Sequence, residues 1–297
     1  MVAVESVSPQ RLCSGTLIAK NKVLTSAHCF DPVDGQTPEF RVLLMNDILT
    51  VSKSIRVKSV ELHPLWLMGR SALEQWNNSL YSLYSEIDRI GAASPAGCGL
   101  RTVDWSEADL PVYMQEIEKF EKNLRQKPSA CQNAVLKIGA VMKKYRHMLD
   151  KFLLSEKLAR PGDLAVAELE TEVSGGFHKP MDIDFDYEPA PGDNRIAFIS
   201  GFGFTAQNQK FEELPRVLNV GYSAFHGMKG EEFINVHGSA VICSGDSGGP
   251  TAYVQHGRMK LVGVNAATDF CDYRRGKGFS ISIRRNADWL REALAKD

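Results

Sequence analysis

The sequence predicts an all-β barrel or sandwich interrupted by a block of α-helix, because the chain has two distinct textures. Near its start, short apolar stretches at residues 17–18, 22–24, 41–44 and 55–60 are broken by turn formers. The last third repeats this texture at 196–203, 216–221, 240–243, 259–264 and 278–283. These runs are compact, β-branched or aromatic, and bounded by Gly, Asn or Asp, as strands are.

The middle follows a helical period instead. Residues 72–90 and 111–154 are rich in Leu, Glu, Lys, Met and Gln, with apolar residues recurring at three and four. Tyr113, Ile117, Phe120 and Leu124 share one helical face, and Val135, Ile138, Met142, Tyr145 and Leu149 continue it after a break at Pro128. The expected edges of this insertion lie near Trp66 and Ala159.

Composition excludes several functions. The 297 residues, 43% hydrophobic and 24% charged, allow one large core or two modest ones. A net charge of -1 supplies no field that would gather nucleic acid or an anionic membrane. No apolar run approaches the roughly 20 residues of a membrane-spanning helix, and residues 1–10 lack the basic start and apolar core of a signal peptide. The charged run Lys143, Lys144, Arg146 and His147 reads as a solvated helix face. The alternation Asp182, Asp184, Asp186 and Glu188 lacks the glycine of a calcium loop and reads as a half-exposed strand. Six cysteines without C-x-x-C spacing give no zinc site.

The chemistry concentrates in Cys243-Ser244-Gly245-Asp246-Ser247-Gly248-Gly249-Pro250. Glycines on both sides of one serine let the backbone turn tightly, presenting the hydroxyl while nearby amides point into one small volume. A serine hydroxyl alone is a poor nucleophile, so the reading requires a histidine base and a carboxylate to orient it. Thr25-Ser26-Ala27-His28-Cys29 supplies the first and Gly162-Asp163-Leu164-Ala165-Val166-Ala167-Glu168-Leu169 the second. With Cys13-Ser14-Gly15-Thr16-Leu17-Ile18 upstream and His63-Pro64 between, these segments resemble the trypsin/chymotrypsin-like serine peptidases, the octet almost letter for letter. The other histidines, at 147, 178, 226, 237 and 256, have no such context, and Asp104 and Asp150 fall in or beside the helical block.

That resemblance implies two six-stranded antiparallel β-barrels with an α-helical subdomain inserted. The first barrel would comprise 1–66 and 159–175, the insertion 67–158, and the second barrel with a terminal helix 176–297. It implies Ser247 as nucleophile, His28 as general base, Asp163 as orienting carboxylate, and the Gly245 and Ser247 N–H groups as oxyanion hole, in a secreted peptidase of proteins or peptides that needs no cofactor and no metal. It implies disulfides Cys13–Cys29 and Cys243–Cys271, leaving Cys98 and Cys131 to pair within the insertion. Its substrate pocket maps to Val241, Ile242, Ala266, Ala267, Thr268 and Gly278, apolar and without a carboxylate for Lys or Arg.

Three departures stand out. Ala266 replaces a serine that in the family supports the carboxylate. The family pairs Asp246 with a new N-terminal ammonium, yet only twelve residues precede Cys13, so a signal peptide, a propeptide and the first strand are expected upstream of Met1. The insertion adds about ninety residues beside the cleft, where it would restrict substrates, bind an inhibitor or partner, or act as a lid. Asn77-Asn78-Ser79 is a glycosylation sequon if it sits on an exposed turn. Two rivals are weighed against the peptidase. A catalytically silent binding protein would usually have lost a triad residue, and an α/β-hydrolase esterase would place its histidine after its serine.

Overall fold

The computed structural model describes residues 1–7, 11–32, 38–45, 51–94, 129–174, 178–193, 195–204, 218–229, 233–238, 240–268 and 277–296, with 119, 122, 123, 126 and 271 singly. They divide into two compact units, 1–67 with 158–297, and 68–157.

The first unit contains two closed six-stranded antiparallel barrels. Strands β1 (Val2–Ser6), β2 (Arg11–Ala19), β3 (Lys22–Thr25), β4 (Phe40–Met45), β5 (Val51–Leu62) and β6 (Ala165–Leu169) run β1-β2-β3-β6-β5-β4 around the first, and β1 pairs with β4 to close it. The first strand of this barrel is therefore Val2–Ser6 itself, which corrects the expectation that it lies upstream of Met1. Its Val2 and Val4 are fully buried among Leu17, Val23, Val42 and Ile55, so a five-residue run completes the core.

The second barrel is built from β8 (Ile196–Gly201), β9 (Asn219–Lys229), β10 (Phe233–Gly238), β11 (Pro250–Gln255), β12 (Arg258–Thr268) and β13 (Gly278–Ser282), closed by the β11–β12 pair. The acidic alternation forms only a two-residue strand, β7 (Asp182–Ile183), beside β12. Beyond it Asp184 turns back to accept the Asp186 and Tyr187 N–H groups, so the chain bends instead of extending. Residues 240–243, expected as a strand, are irregular, whereas Phe233–Gly238 is a strand that the apolar pattern did not single out.

Alternation along the strands joins the barrels. In β3 and β6 the side chains of Val23, Ala165, Ala167 and Leu169 fill the first barrel. Leu24, Leu164 and Val166 face the other way, onto Leu261, Val264, Ile281 and Ile283 of the second. The helix Ala287–Ala295 adds Leu290 and Ala293 to the same cluster. Buried Lys22 fixes that helix by donating to the Ala293 and Leu294 carbonyls at 3.1 and 3.0 Å, where the helix dipole favours a cation.

The second unit is carried by two long helices, α1 (Pro64–Ala92) and α2 (Gln132–Ala159). Trp76, Leu80, Leu83, Ile87 and Ile90 of α1 share a core with Ala134, Ile138, Met142, Tyr145, Leu149 and Phe152 of α2, at spacings of three and four. Trp76 stacks on Phe152 with centroids 5.7 Å apart. Lys143, Lys144, Arg146 and His147 are exposed on α2. The sequon at Asn77 lies inside α1, not on a turn. Cys131 is disulfide-bonded, while Cys98 and the face Tyr113, Ile117, Phe120 and Leu124 lie outside the described residues. None of the described helices is long and apolar enough to cross a membrane.

Candidate active site

Strand pairing brings His28 and Asp163 together. Thr25 at the end of β3 pairs with Ala165 at the start of β6, so the 3-10 turn Ala27–Phe30 and the residue preceding β6 by two emerge at one edge. There the Asp163 carboxylate accepts both the His28 backbone N–H at 2.9 Å and the ring Nδ1–H at 2.7 Å. That bond selects the tautomer with an unprotonated Nε2, the atom on the far side of the ring.

Burial pulls the His28 pKa down. The charge and hydrogen bond of Asp163, with Asp31 adding to them and Arg11 opposing, outweigh burial and hold it above 6.5. Because the folded value exceeds the unfolded one, the pair's contribution to stability is whole below about pH 6.5 and is lost as pH rises through the folded value. Asp163 is 7% exposed. Ala266 is half-buried and has no hydroxyl to offer, and among the described residues both hydrogen bonds of the carboxylate come from His28.

The loop with Ser247 docks on this edge from the second barrel. The Ser247 carbonyl accepts the Ser14 N–H at 2.8 Å and lies 3.9 Å from Cys29 Sγ, next to His28 in the chain. The Asn265 carbonyl accepts both the Ser26 hydroxyl at 2.9 Å and the Gly248 N–H at 2.7 Å. Gly248 has φ +86°, and a side chain there would strike the Thr25 hydroxyl and the Ser14 carbonyl. Sequence thus places Ser247 beside the His28 turn, half-buried.

Two N–H groups of the loop are left free of partners among the described residues. The Ser244 carbonyl accepts the Phe204 N–H and the Asp246 carbonyl accepts the Gly249 N–H, both at 2.9 Å. In a planar trans peptide the N–H points away from its carbonyl, so the Gly245 and Ser247 N–H groups face the opposite side. Among the described residues neither donates to any partner. Gly245 takes φ +93°, which a side chain would resist.

Asp246 is buried, and among the described residues no cation pairs with it. Its carboxylate instead accepts the Gly203 N–H on Oδ1 and the Cys243 N–H on Oδ2, each at 2.9 Å. Burial outweighs these bonds and pushes its pKa from 3.8 up to about 6. The sign is the same as for His28: the loop is more stable with Asp246 protonated, and that contribution is whole below pH 3.8 and lost as pH rises through about 6.

The pocket residues gather only in part. Thr268 pairs directly with Gly278 across β12 and β13, and donates its hydroxyl to the Lys277 carbonyl at 3.2 Å. A Cβ on Gly278 would lie 2.9 Å from both Ile242 Cδ1 and Val236 Cγ2. Ile242, 2% exposed, therefore belongs to the second barrel's core and fills the space opposite Gly278. Val241, its neighbour in the chain, is half-buried, and Ala266 is half-buried against the other cluster, that of Leu24, Val166 and Val264. Disulfides Cys13–Cys29 and Cys243–Cys271 both form. Cys13, His28 and Cys29 lie within reach of one metal ion, but the disulfide removes both thiolates as ligands.

Sequence reasoning missed Asn265 and Ser14. Asn265 was legible as one amide inside the apolar run 261–267, a polar residue that needs buried partners.

The family model of Trypsin matches residues 1–102 and 137–290. The chain belongs to the trypsin family. Trypsin-family chains are serine peptidases, hydrolases whose substrates are proteins, and the two barrels with the serine loop at their junction accord with that membership. A search of the curated proteins finds no match.

The pairing of His28 with Asp163 predicts a titration. By NMR the His28 ring titrates above 6.5 in the wild type, and Asp163→Asn lowers its midpoint; an unmoved midpoint would contradict the pairing.

Proposed function

We propose that this trypsin-family chain is a secreted serine endopeptidase acting through an acyl-enzyme. The observation that carries the reading is the Asp163–His28 hydrogen bond held beside a serine whose own N–H and that of Gly245 have no partner among the described residues.

In this mechanism the Ser247 hydroxyl attacks the scissile carbonyl carbon while His28 Nε2 takes its proton. The carbonyl electron pair moves onto oxygen, where the Gly245 and Ser247 N–H groups receive it, each worth about 10² to 10³ in rate. The same proton then passes from His28 to the leaving amine as the C–N bond breaks. Water repeats the sequence to free the acid. Asp163 stays ionised, holding the imidazole in its tautomer and stabilising the imidazolium. None of these steps calls for a cofactor.

Preference follows from Ile242. It fills the space that glycine at 278 leaves, and Val241 supplies no carboxylate, which supports small or medium aliphatic side chains over Lys, Arg or large aromatics. Secretion is supported by the disulfides, which persist in oxidising compartments. The helical residues 67–158 are proposed as a separate elaboration whose outer surface takes an inhibitor or partner.

One second reading has support. Asp246 has no cation among the described residues and Ala266 offers no support to Asp163, as in a zymogen-like or silent binding protein.

A fluorophosphonate probe separates the two. The peptidase reading expects labelling that Ser247→Ala abolishes, with peptide hydrolysis falling at least about 10⁴-fold; a folded wild type that takes no label favours the silent protein. On peptide libraries, Ile242→Ala raises kcat/KM for Leu or Phe relative to Ala at the cleaved position by roughly 10- to 100-fold. An unchanged ratio would remove Ile242 from the pocket.

A further inference from the structure

Ser14 stands in the first barrel, on β2, and is completely buried. All its polar groups are committed. The backbone N–H donates to the Ser247 carbonyl at 2.8 Å, and the backbone carbonyl accepts the Thr25 hydroxyl at 2.7 Å. The side-chain hydroxyl accepts the Phe202 N–H at 2.9 Å and donates to the Gly245 carbonyl at 2.8 Å.

The partners of that hydroxyl are what make it more than a core contact. Residues 202–204 hold the serine loop from one side: the Gly203 N–H binds the Asp246 carboxylate and the Phe204 N–H binds the Ser244 carbonyl. Gly245 needs such restraint, since a glycine at positive φ resists rotation of its flanking peptides less than any other residue. The relay Phe202 N–H to Ser14 Oγ–H to Gly245 carbonyl ties segment 202–204, strand β2 and the serine loop into one chain of bonds, each polarising the next. The Gly245 carbonyl belongs to the peptide between Gly245 and Asp246, which links the two peptides that carry the Gly245 and Ser247 N–H groups, so the Ser14 hydroxyl fixes the link between those two donors.

We propose that Ser14 is a positioning residue for the oxyanion hole: its hydroxyl fixes the Gly245–Asp246 peptide from the first barrel, and with it the relative orientation of the Gly245 and Ser247 N–H groups on either side of that peptide. The inference rests on the peptidase reading. Ser14 touches neither substrate nor the His28–Asp163 pair; its effect runs through Gly245. Removing the hydroxyl leaves the Phe202 N–H and Gly245 carbonyl without their partner and frees the Gly245 peptide to turn, which weakens the transition state more than the bound substrate.

The test compares wild type with Ser14→Ala. Readouts are kcat and KM on a peptide substrate, the acidic midpoint of the rate, and affinity for a peptidyl aldehyde of the same sequence. The aldehyde reports the hole: Ser247 Oγ bonds to its carbon, the C=O π pair becomes the oxyanion, and the hydroxyl proton goes to His28. Expected are a kcat lower by about 10- to 100-fold, part of what loss of a whole oxyanion donor costs. Aldehyde affinity falls in parallel, KM stays within about twofold, and the acidic midpoint stays in place. A wild-type kcat in Ser14→Ala, or a loss that falls on KM with aldehyde affinity unmoved, overturns the inference. Should Ser14→Ala not fold, Ser14→Cys keeps a weaker donor and acceptor in place: an intermediate kcat with unmoved KM supports the role, and full kcat overturns it. A wild type that neither hydrolyses peptide nor takes the fluorophosphonate label fails the peptidase reading itself, a result distinct from an active wild type matched by its variant.

Discussion

The carbonyl of Asn265 is the joint on which the rest depends. One oxygen accepts the Ser26 hydroxyl from the first barrel and the Gly248 N–H from the serine loop, so the segments before His28 and after Ser247 are fastened to the same atom. The residue can hold that position because its side chain is itself fully engaged. Its amide donates to the Ser200 carbonyl at 3.1 Å and accepts the Thr251 hydroxyl at 2.8 Å, all in the buried interior. A buried amide that lost these partners would cost about 1–3 kcal/mol for each group left unpaired, which makes the arrangement specific as well as stable.

Two acids near this joint live in opposite surroundings. Asp163 accepts the His28 ring N–H on one oxygen and its backbone N–H on the other, and its charge raises the pKa of the imidazole. Among the described residues Asp246 faces only backbone N–H groups, which are too weak to offset its burial, so its pKa rises. The serine loop nevertheless keeps its shape: neutral dipoles from Gly203 and Cys243 hold the carboxylate while Ser14 holds the carbonyls. Geometry that an ion pair could impose is here imposed by hydrogen bonds alone among the described residues.

Much of this was legible in the chain, for physical reasons. Tight turns at Gly245 and Gly248 require residues without side chains, so the octet around Ser247 announces itself in sequence. The segments carrying His28 and Asp163 precede or follow short apolar strands that pair with each other, and the helices of the insertion keep a strict three-four spacing such as Leu80, Leu83, Ile87 and Ile90. What was not legible depends on partners remote in sequence. Val2–Ser6 is too short to stand out, and becomes a strand because both β2 and β4 offer edges to it. Ala240, Val241 and Ile242 read as a strand from apolarity alone, yet Ile242 is apolar because it plugs the core opposite Gly278. Ser14 looks like a turn former beside a cysteine, and only the fold brings Phe202 and Gly245 to its hydroxyl.

The most direct test of the joint is a crystal structure of the protein after reaction with a peptidyl phosphonate. The account predicts phosphorus bonded to Ser247 Oγ, its oxygen 2.7–3.1 Å from the Gly245 and Ser247 nitrogens, and His28 Nε2 within hydrogen-bonding distance of the Ser247 oxygen, with Nδ1 still on Asp163. A phosphonate attached elsewhere, or one on Ser247 whose oxygen turns to solvent while His28 lies out of reach, would contradict it.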